Sequence, residues 1–95
     1  MVSSNYQQFV KSTTSDESLK YLSFEKRVKR LWLDDGVNVP LLLTAAIGAG
    51  SECGEFEEIV KKIIFQGKPY NEDNVFHMKR ELGDIMWYLD QACMG

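Results

Sequence analysis

Two pairs of acids stand out by type and spacing: Glu52 and Glu55 within Ser51-Glu52-Cys53-Gly54-Glu55-Phe56-Glu57-Glu58, and Glu81 and Asp84 within Arg80-Glu81-Leu82-Gly83-Asp84-Ile85. Each pair lies inside an apolar pattern of helical period. With residues advanced by about 100° each and Glu52 set at zero, Ile59, Ile63, Phe56, Ala49, Val60, Leu42 and Cys53 fall between roughly −20° and +100°, with Glu55 at about −60°. With Glu81 at zero, Tyr88, Ala92, Ile85, Met78, Leu89 and Leu82 fill the same sector, and Asp84 again lies at about −60°. The acids therefore share one phase relative to two core faces. A short connection makes the two helices antiparallel neighbours, so the four carboxylates can converge.

Carboxylates brought together out of water repel, and their pKa values rise unless a counter-charge is present. Neither buried sector holds a lysine or arginine. The economical partner is a metal ion, and an all-oxygen donor set without a matched histidine or cysteine group favours Mg²⁺ or Mn²⁺ over zinc. Mg²⁺ held by carboxylates keeps open positions for phosphate oxygens, which points to phosphate-ester or anhydride chemistry. Acids at this spacing also occur on solvated helix faces, and the matched phase is what separates the two readings.

The elements that must position these acids follow from caps and periodicity. Ser4 to Ser12 reads as a first helix, with Tyr6, Phe9 and Val10 on one side. Ser15-Asp16-Glu17-Ser18 starts a second, carried to about Asp34 by Leu19, Leu22, Val28, Leu31 and Trp32 and stopped by Asp35-Gly36. Asn38 caps a long third helix, about Val39 to Phe65, with Pro40 in its first turn. Gly67 and Pro69 mark the loop, and Asn71-Glu72-Asp73 opens a fourth helix that lasts to about Met94. No strand-like alternation, repeat or low-complexity segment is present. The expectation is one all-α domain over residues 1–95: an antiparallel bundle of about four helices, with the metal site between the two long ones.

Composition narrows the function classes. The chain has 95 residues, 44% of them hydrophobic and 26% charged, and a formal net charge of −3, so bulk nucleic-acid binding through net charge is not suggested. A domain of this size buries only about 60–65% of the surface that its unfolded chain exposes, which leaves room for a partner chain. With only Cys53 and Cys93, and a polar start, Met1-Val2-Ser3-Ser4-Asn5-Tyr6, a reduced, cytoplasmic protein is expected. The apolar run from Val39 to Gly50 is too short for a membrane span.

The motif Glu52-Cys53-Gly54-Glu55 followed by Glu81-Leu82-Gly83-Asp84 resembles that of the MazG-like, all-α nucleoside triphosphate pyrophosphohydrolases, in particular their short, phage-type members. Gly54-Glu55-Phe56-Glu57-Glu58-Ile59-Val60-Lys61-Lys62 is similar to the family's first metal helix, and Lys79-Arg80-Glu81-Leu82-Gly83-Asp84-Ile85-Met86-Trp87-Tyr88-Leu89 to its second. The stretch Asn5 to Thr13 resembles the opening helix. The resemblance implies hydrolysis of an NTP or dNTP to the monophosphate and pyrophosphate. Glu52, Glu55, Glu81 and Asp84 would ligate Mg²⁺, water would attack the α-phosphorus, and Glu52 or Glu55 would take its proton. It also implies a homodimer or homotetramer, with Phe76, Trp87 and Met94 as a second apolar patch. Family members usually continue past the second motif into a further helix with polar and basic residues that touch phosphate; this sequence stops at Gly95, so either it is short of that helix or those groups come from elsewhere.

Other residues admit two readings each. Lys62, close to Glu55 in phase, could contact a substrate phosphate or simply end a solvated helix. His77 could hydrogen-bond a carboxylate or serve only structure. Lys79 and Arg80 are expected on the surface, as is the basic run Lys26-Arg27-Val28-Lys29-Arg30. Trp32, Phe56, Trp87 and Tyr88 are base-stacking candidates that could equally be core. A catalytically idle helical module that binds nucleotide or protein, and a relative that acts on phosphoribosyl-ATP or dUTP, are the alternative functions.

Overall fold

The computed structural model describes residues 3–95, and these are all-helical, with no strand. Five helices follow one another: α1 (Ser4–Ser12), α2 (Asp16–Leu19), α3 (Tyr21–Asp35), α4 (Val39–Phe65) and α5 (Glu72–Met94). Where one helix is expected between residues 15 and 34, two are found. Lys20 is extended, with φ −127° and ψ 121°, and its own N–H still closes α2 on the Asp16 carbonyl while its carbonyl accepts from Phe24 to begin α3. Leu19 and Leu22 keep helical spacing across this break, so periodicity does not show it. The contacts group into two compact units, Met1–Val37 and Asn38–Gly95.

In the first unit α2 packs on α3. Ser3 caps α1 by accepting from the Tyr6 N–H at 3.2 Å. Gly36, at φ +68°, ends α3: its N–H reaches the Trp32 carbonyl, and the next N–H, of Val37, reaches back to Leu31. That left-handed position suits glycine because it has no Cβ to clash.

The second unit is an antiparallel hairpin of α4 and α5, and it holds both acid pairs. Asn38 caps α4 by accepting from the Leu41 N–H, and Asn71 caps α5 by accepting from the Asn74 N–H, each at 3.0 Å. Each bond satisfies one of the N–H groups that a helix start leaves free. Between the helices, Gly67 at φ +72° lets the Lys68 N–H return to the Lys62 carbonyl at 3.0 Å. The open end of the hairpin is closed by the Asn38 N–H, which donates to the Gly95 carbonyl at 3.2 Å.

Ala45 and Ile59 are the buried apolar residues along the seam, flanked by half-buried Leu42, Phe56, Ile63, Ile85 and Ala92. Cys53, Leu82 and Leu89, expected in the buried sector, are exposed. They lie at its far edge, near +100°, and within the hairpin a single facing helix covers only the part of the sector nearest zero. Trp87, Met86, Phe76, Ile47 and Ile64 are exposed as well.

At Gly48 the Tyr88 ring occupies the space that a Cβ would need. Gly50, two residues on, has nothing within 4 Å of a Cβ placed there. Gly50→Ala should therefore show the usual gain of about 1 kcal/mol from helix propensity. Gly48→Ala should fall short of it by about 1–3 kcal/mol, because the ring must move. Chemical denaturation of the two variants checks this, and equal stabilities would show that the Tyr88 contact is loose.

Candidate metal centre

Glu52 and Glu55 stand one turn apart on α4, and Glu81 faces them from α5. One carboxylate oxygen from each of the three lies within 4.8 Å of the others. Glu81 is buried, at 3% exposure, Glu52 is half-buried and Glu55 is exposed. The cluster is thus closed at the seam and open at Glu55. Asp84, the fourth expected ligand, is exposed and outside this group. In an antiparallel pair, each step along α5 runs back along α4, so Asp84 stands a turn nearer the start of α4 while Glu55 lies a turn nearer its end.

The carboxylates are only partly satisfied. His77, one turn before Glu81 on α5, places Nε2 at 3.2 Å from Glu81 Oε1, which realises the hydrogen-bonding alternative for that histidine. Glu52 Oε2 and Glu81 Oε2 are buried with no hydrogen-bond partner. Buried polar atoms of this kind are uncommon, because each forfeits its hydration without return.

The electrostatics follow from this crowding. Glu52 is pushed up to about 7, chiefly by the hydrogen bond that it shares with Glu81, then by burial and by the negative charge of Glu55. Glu81 is held below the usual carboxylate range, first by that same shared proton, with burial working in the opposite direction. The two titrate as a coupled pair, Glu52 above the usual carboxylate range and Glu81 below it. Two facing carboxylates with orphaned oxygens, a third acid at the mouth and only oxygen donors form a set suited to a hard divalent cation.

Beside the cluster a groove of about 380 Å³ runs between the end of α4 and the start of α5. Lys62, Lys68, His77 and Arg80 line it together with Glu55 and Glu81. Lys62 lines this groove, and Glu58 approaches it at 3.8 Å while holding Lys61 at 3.0 Å. Arg80, expected to point away from Glu81, lines the groove because its long side chain reaches round from the neighbouring position. Lys68 was not visible as a site residue: it sits in the loop, where no helical period gives it a phase.

The aromatic candidates divide. Phe56 and Tyr88 are half-buried, whereas Trp32 and Trp87 are exposed, and Trp87 packs edge-on against Tyr88 with ring centres 5.1 Å apart. The basic run on α3 is solvated at Lys26, Arg27, Lys29 and Arg30, and Arg30 approaches Asp34 at 3.7 Å. No helix among the described residues is long and apolar enough to cross a membrane. No protein-family model matches the chain, and no curated protein or solved structure matches it.

The carboxylate pair sets the sign of the pH response. Because the folded-state value of Glu52 lies above its ordinary 4.5, its contribution to stability is complete below that value and is lost as pH rises through about 7. Glu81, shifted downward, contributes above its ordinary value and loses that contribution in stronger acid. Without divalent cations, the melting temperature should therefore peak in mild acid and fall toward pH ~8. Added MgCl₂ or MnCl₂ should raise it more at pH ~8 than at pH ~5, since the cation competes with the shared proton. Glu52→Gln should flatten both responses in a thermal melt, and an unchanged profile would overturn the shared-proton description.

Proposed function

We propose that the chain is a Mg²⁺-dependent nucleoside triphosphate pyrophosphohydrolase, converting (d)NTPs to (d)NMPs and pyrophosphate. The observation that carries this reading is the pair of buried, unpartnered oxygens of Glu52 and Glu81, facing each other across the seam with Glu55 alongside. The resemblance of the Glu52–Glu55 and Glu81–Asp84 motifs to those of the MazG-like family supports the choice of reaction.

In this reading Glu52, Glu55 and Glu81 would hold the cation, with Mn²⁺ an acceptable substitute. When bound, the ion would neutralise charge on the triphosphate and acidify water at the site. Glu55, exposed at the mouth, would accept a proton from a water molecule that approaches the α-phosphorus. Glu52 and Glu81 orient the cluster from within, and His77 fixes the Glu81 carboxylate by its hydrogen bond. Lys62, on the groove wall, would contact a substrate phosphate. Asp84 would join the ligand set only through a change of side-chain conformation or through water, which its exposure permits.

The apolar surface supports assembly as part of the same proposal. Trp87, Met86 and Phe76 lie exposed along α5, and patches of this kind characteristically mark interfaces. A second hairpin laid against them would convert a two-helix unit into a four-helix core, giving a homodimer or homotetramer.

Purified protein with Mg²⁺ and a panel of nucleotides should release pyrophosphate and monophosphate, and Glu55→Gln should reduce the rate by at least about 100-fold. Release of orthophosphate, or nucleotide binding without turnover, would overturn the hydrolytic reading. Binding alone would favour an idle nucleotide-binding module, the alternative to which the position of Asp84 outside the cluster lends support. Separately, light scattering should give a mass of two or four chains, and Trp87→Glu should lower it.

A further inference from the structure

Glu81 differs from the other two acids of the cluster in that burial fixes its side chain before any ion arrives. It is 3% exposed, whereas Glu52 is half-buried and Glu55 is exposed. Its two oxygens stand in different circumstances. Oε1 lies 3.2 Å from Nε2 of His77, and Oε2 is buried with no partner. The four-residue spacing puts both side chains on one face of α5, so the helix itself dictates this contact. No lysine or arginine pairs with Glu81 among the described residues, although Lys62, Lys68 and Arg80 line the same groove.

The number of oxygens that a carboxylate can give decides which cation it suits. Mg²⁺ demands near-octahedral coordination at about 2.0–2.1 Å and keeps several waters, so one oxygen from each of three carboxylates is enough. Mn²⁺ accepts the same octahedral oxygen set. Ca²⁺ takes about six to eight oxygens at about 2.3–2.6 Å and often draws on both oxygens of one carboxylate. An oxygen that already accepts from an imidazole N–H has less to offer a cation, and the same contact holds the carboxylate in one orientation. With Oε1 engaged in this way, Oε2 is the oxygen left for an ion.

We propose that His77 is a positioning residue that restricts Glu81 to single-oxygen coordination, so that the cluster selects Mg²⁺ and Mn²⁺ against Ca²⁺. This rests on the cation reading of the carboxylates given above and is independent of whether a nucleotide is hydrolysed. His77 stays outside the ligand set, since the donor atoms that converge are those of Glu52, Glu55 and Glu81.

Calorimetric titration with MgCl₂, MnCl₂ and CaCl₂ at pH ~8, where the proton on Glu52 no longer competes, tests it. The unaltered chain should bind Mg²⁺ and Mn²⁺ in preference to Ca²⁺. His77→Leu, which leaves Oε1 without a donor, should weaken Mg²⁺ binding about tenfold or more while Ca²⁺ binding is kept or strengthened. His77→Gln can donate an amide N–H across the same spacing and should recover most of the selectivity. Should His77→Leu fail to fold in a thermal melt, His77→Ala takes its place. Infrared spectra of the carboxylate stretches on adding Ca²⁺ should show two-oxygen binding in the Leu or Ala variant and not in the unaltered chain. A ratio of Mg²⁺ to Ca²⁺ affinity that ignores the loss of the imidazole, or that His77→Gln does not restore, overturns the proposal. If the ratio shifts as stated while no nucleotide releases pyrophosphate, the role of His77 stands and the hydrolytic reading falls. If pyrophosphate is released and the ratio is indifferent to His77, the reverse holds. If no divalent cation binds, the cation reading falls and takes the role of His77 with it.

Discussion

The hairpin depends on one unfavourable interaction, the approach of Glu81 to Glu52 in a seam that covers Glu81 almost completely. Bringing two carboxyl groups together there costs free energy that neither helix propensity nor capping recovers. Within the chain the cost is reduced by a proton shared between them and by His77, yet one oxygen of each remains unsatisfied. Apolar residues of similar volume would serve stability better. Their presence makes structural sense if the seam is arranged around something positive, and the basic groove alongside makes sense if that positive species arrives with anions.

The backbone around this point is arranged to make the approach possible. Gly48 lets the Tyr88 ring lie against α4, so the helices come close one turn away from Glu52. Caps at Asn38 and Asn71 set where each helix begins, and the turn at Gly67 sets how they reverse. With both ends so defined, the register that places Glu81 opposite Glu52 and Glu55 follows from the lengths of the helices. The apolar faces left on the outside are a further result of the same economy, because two helices cannot enclose each other's full apolar sectors.

Most of this was legible in the residues, and the misses have physical causes. α4 and α5 could be drawn nearly to the residue because Asn38 and Asn71 are side-chain caps and Gly67 is a left-handed stop, and α1 from its cap-type start and apolar spacing, its actual cap being Ser3. The break at Lys20 could not, since the apolar period runs through it. The helical wheel placed Glu52 and Glu81 inward correctly, but it carries no information about the axial level at which two helices meet. Hence Asp84 and Glu55, equivalent in phase, end at different levels relative to the opposite helix, and only Glu55 joins the cluster. Cys53 and Leu82 show the same limit around the circumference: a wheel defines a sector, and the number of neighbours decides how much of it is covered. Lys68 escaped notice because loop geometry has no period; Arg80, expected on the surface, is exposed there and lines the groove only through the reach of its side chain.

The turn at Gly67 also bears on how the protein folds. All three clustered acids, and every residue of the basic wall, lie within one helix–turn–helix, so no distant segment of the chain is needed to assemble them. Glu52 and Glu81 are nonetheless 29 residues apart, so their meeting waits on closure of the hairpin and carries its loop entropy. The carboxylates meet only as the hairpin shuts, so their repulsion is concentrated in that closing step. If the three acids hold a divalent cation, it acts on kinetics as well as on the final state, with closure as the event it speeds and reopening as the event it slows.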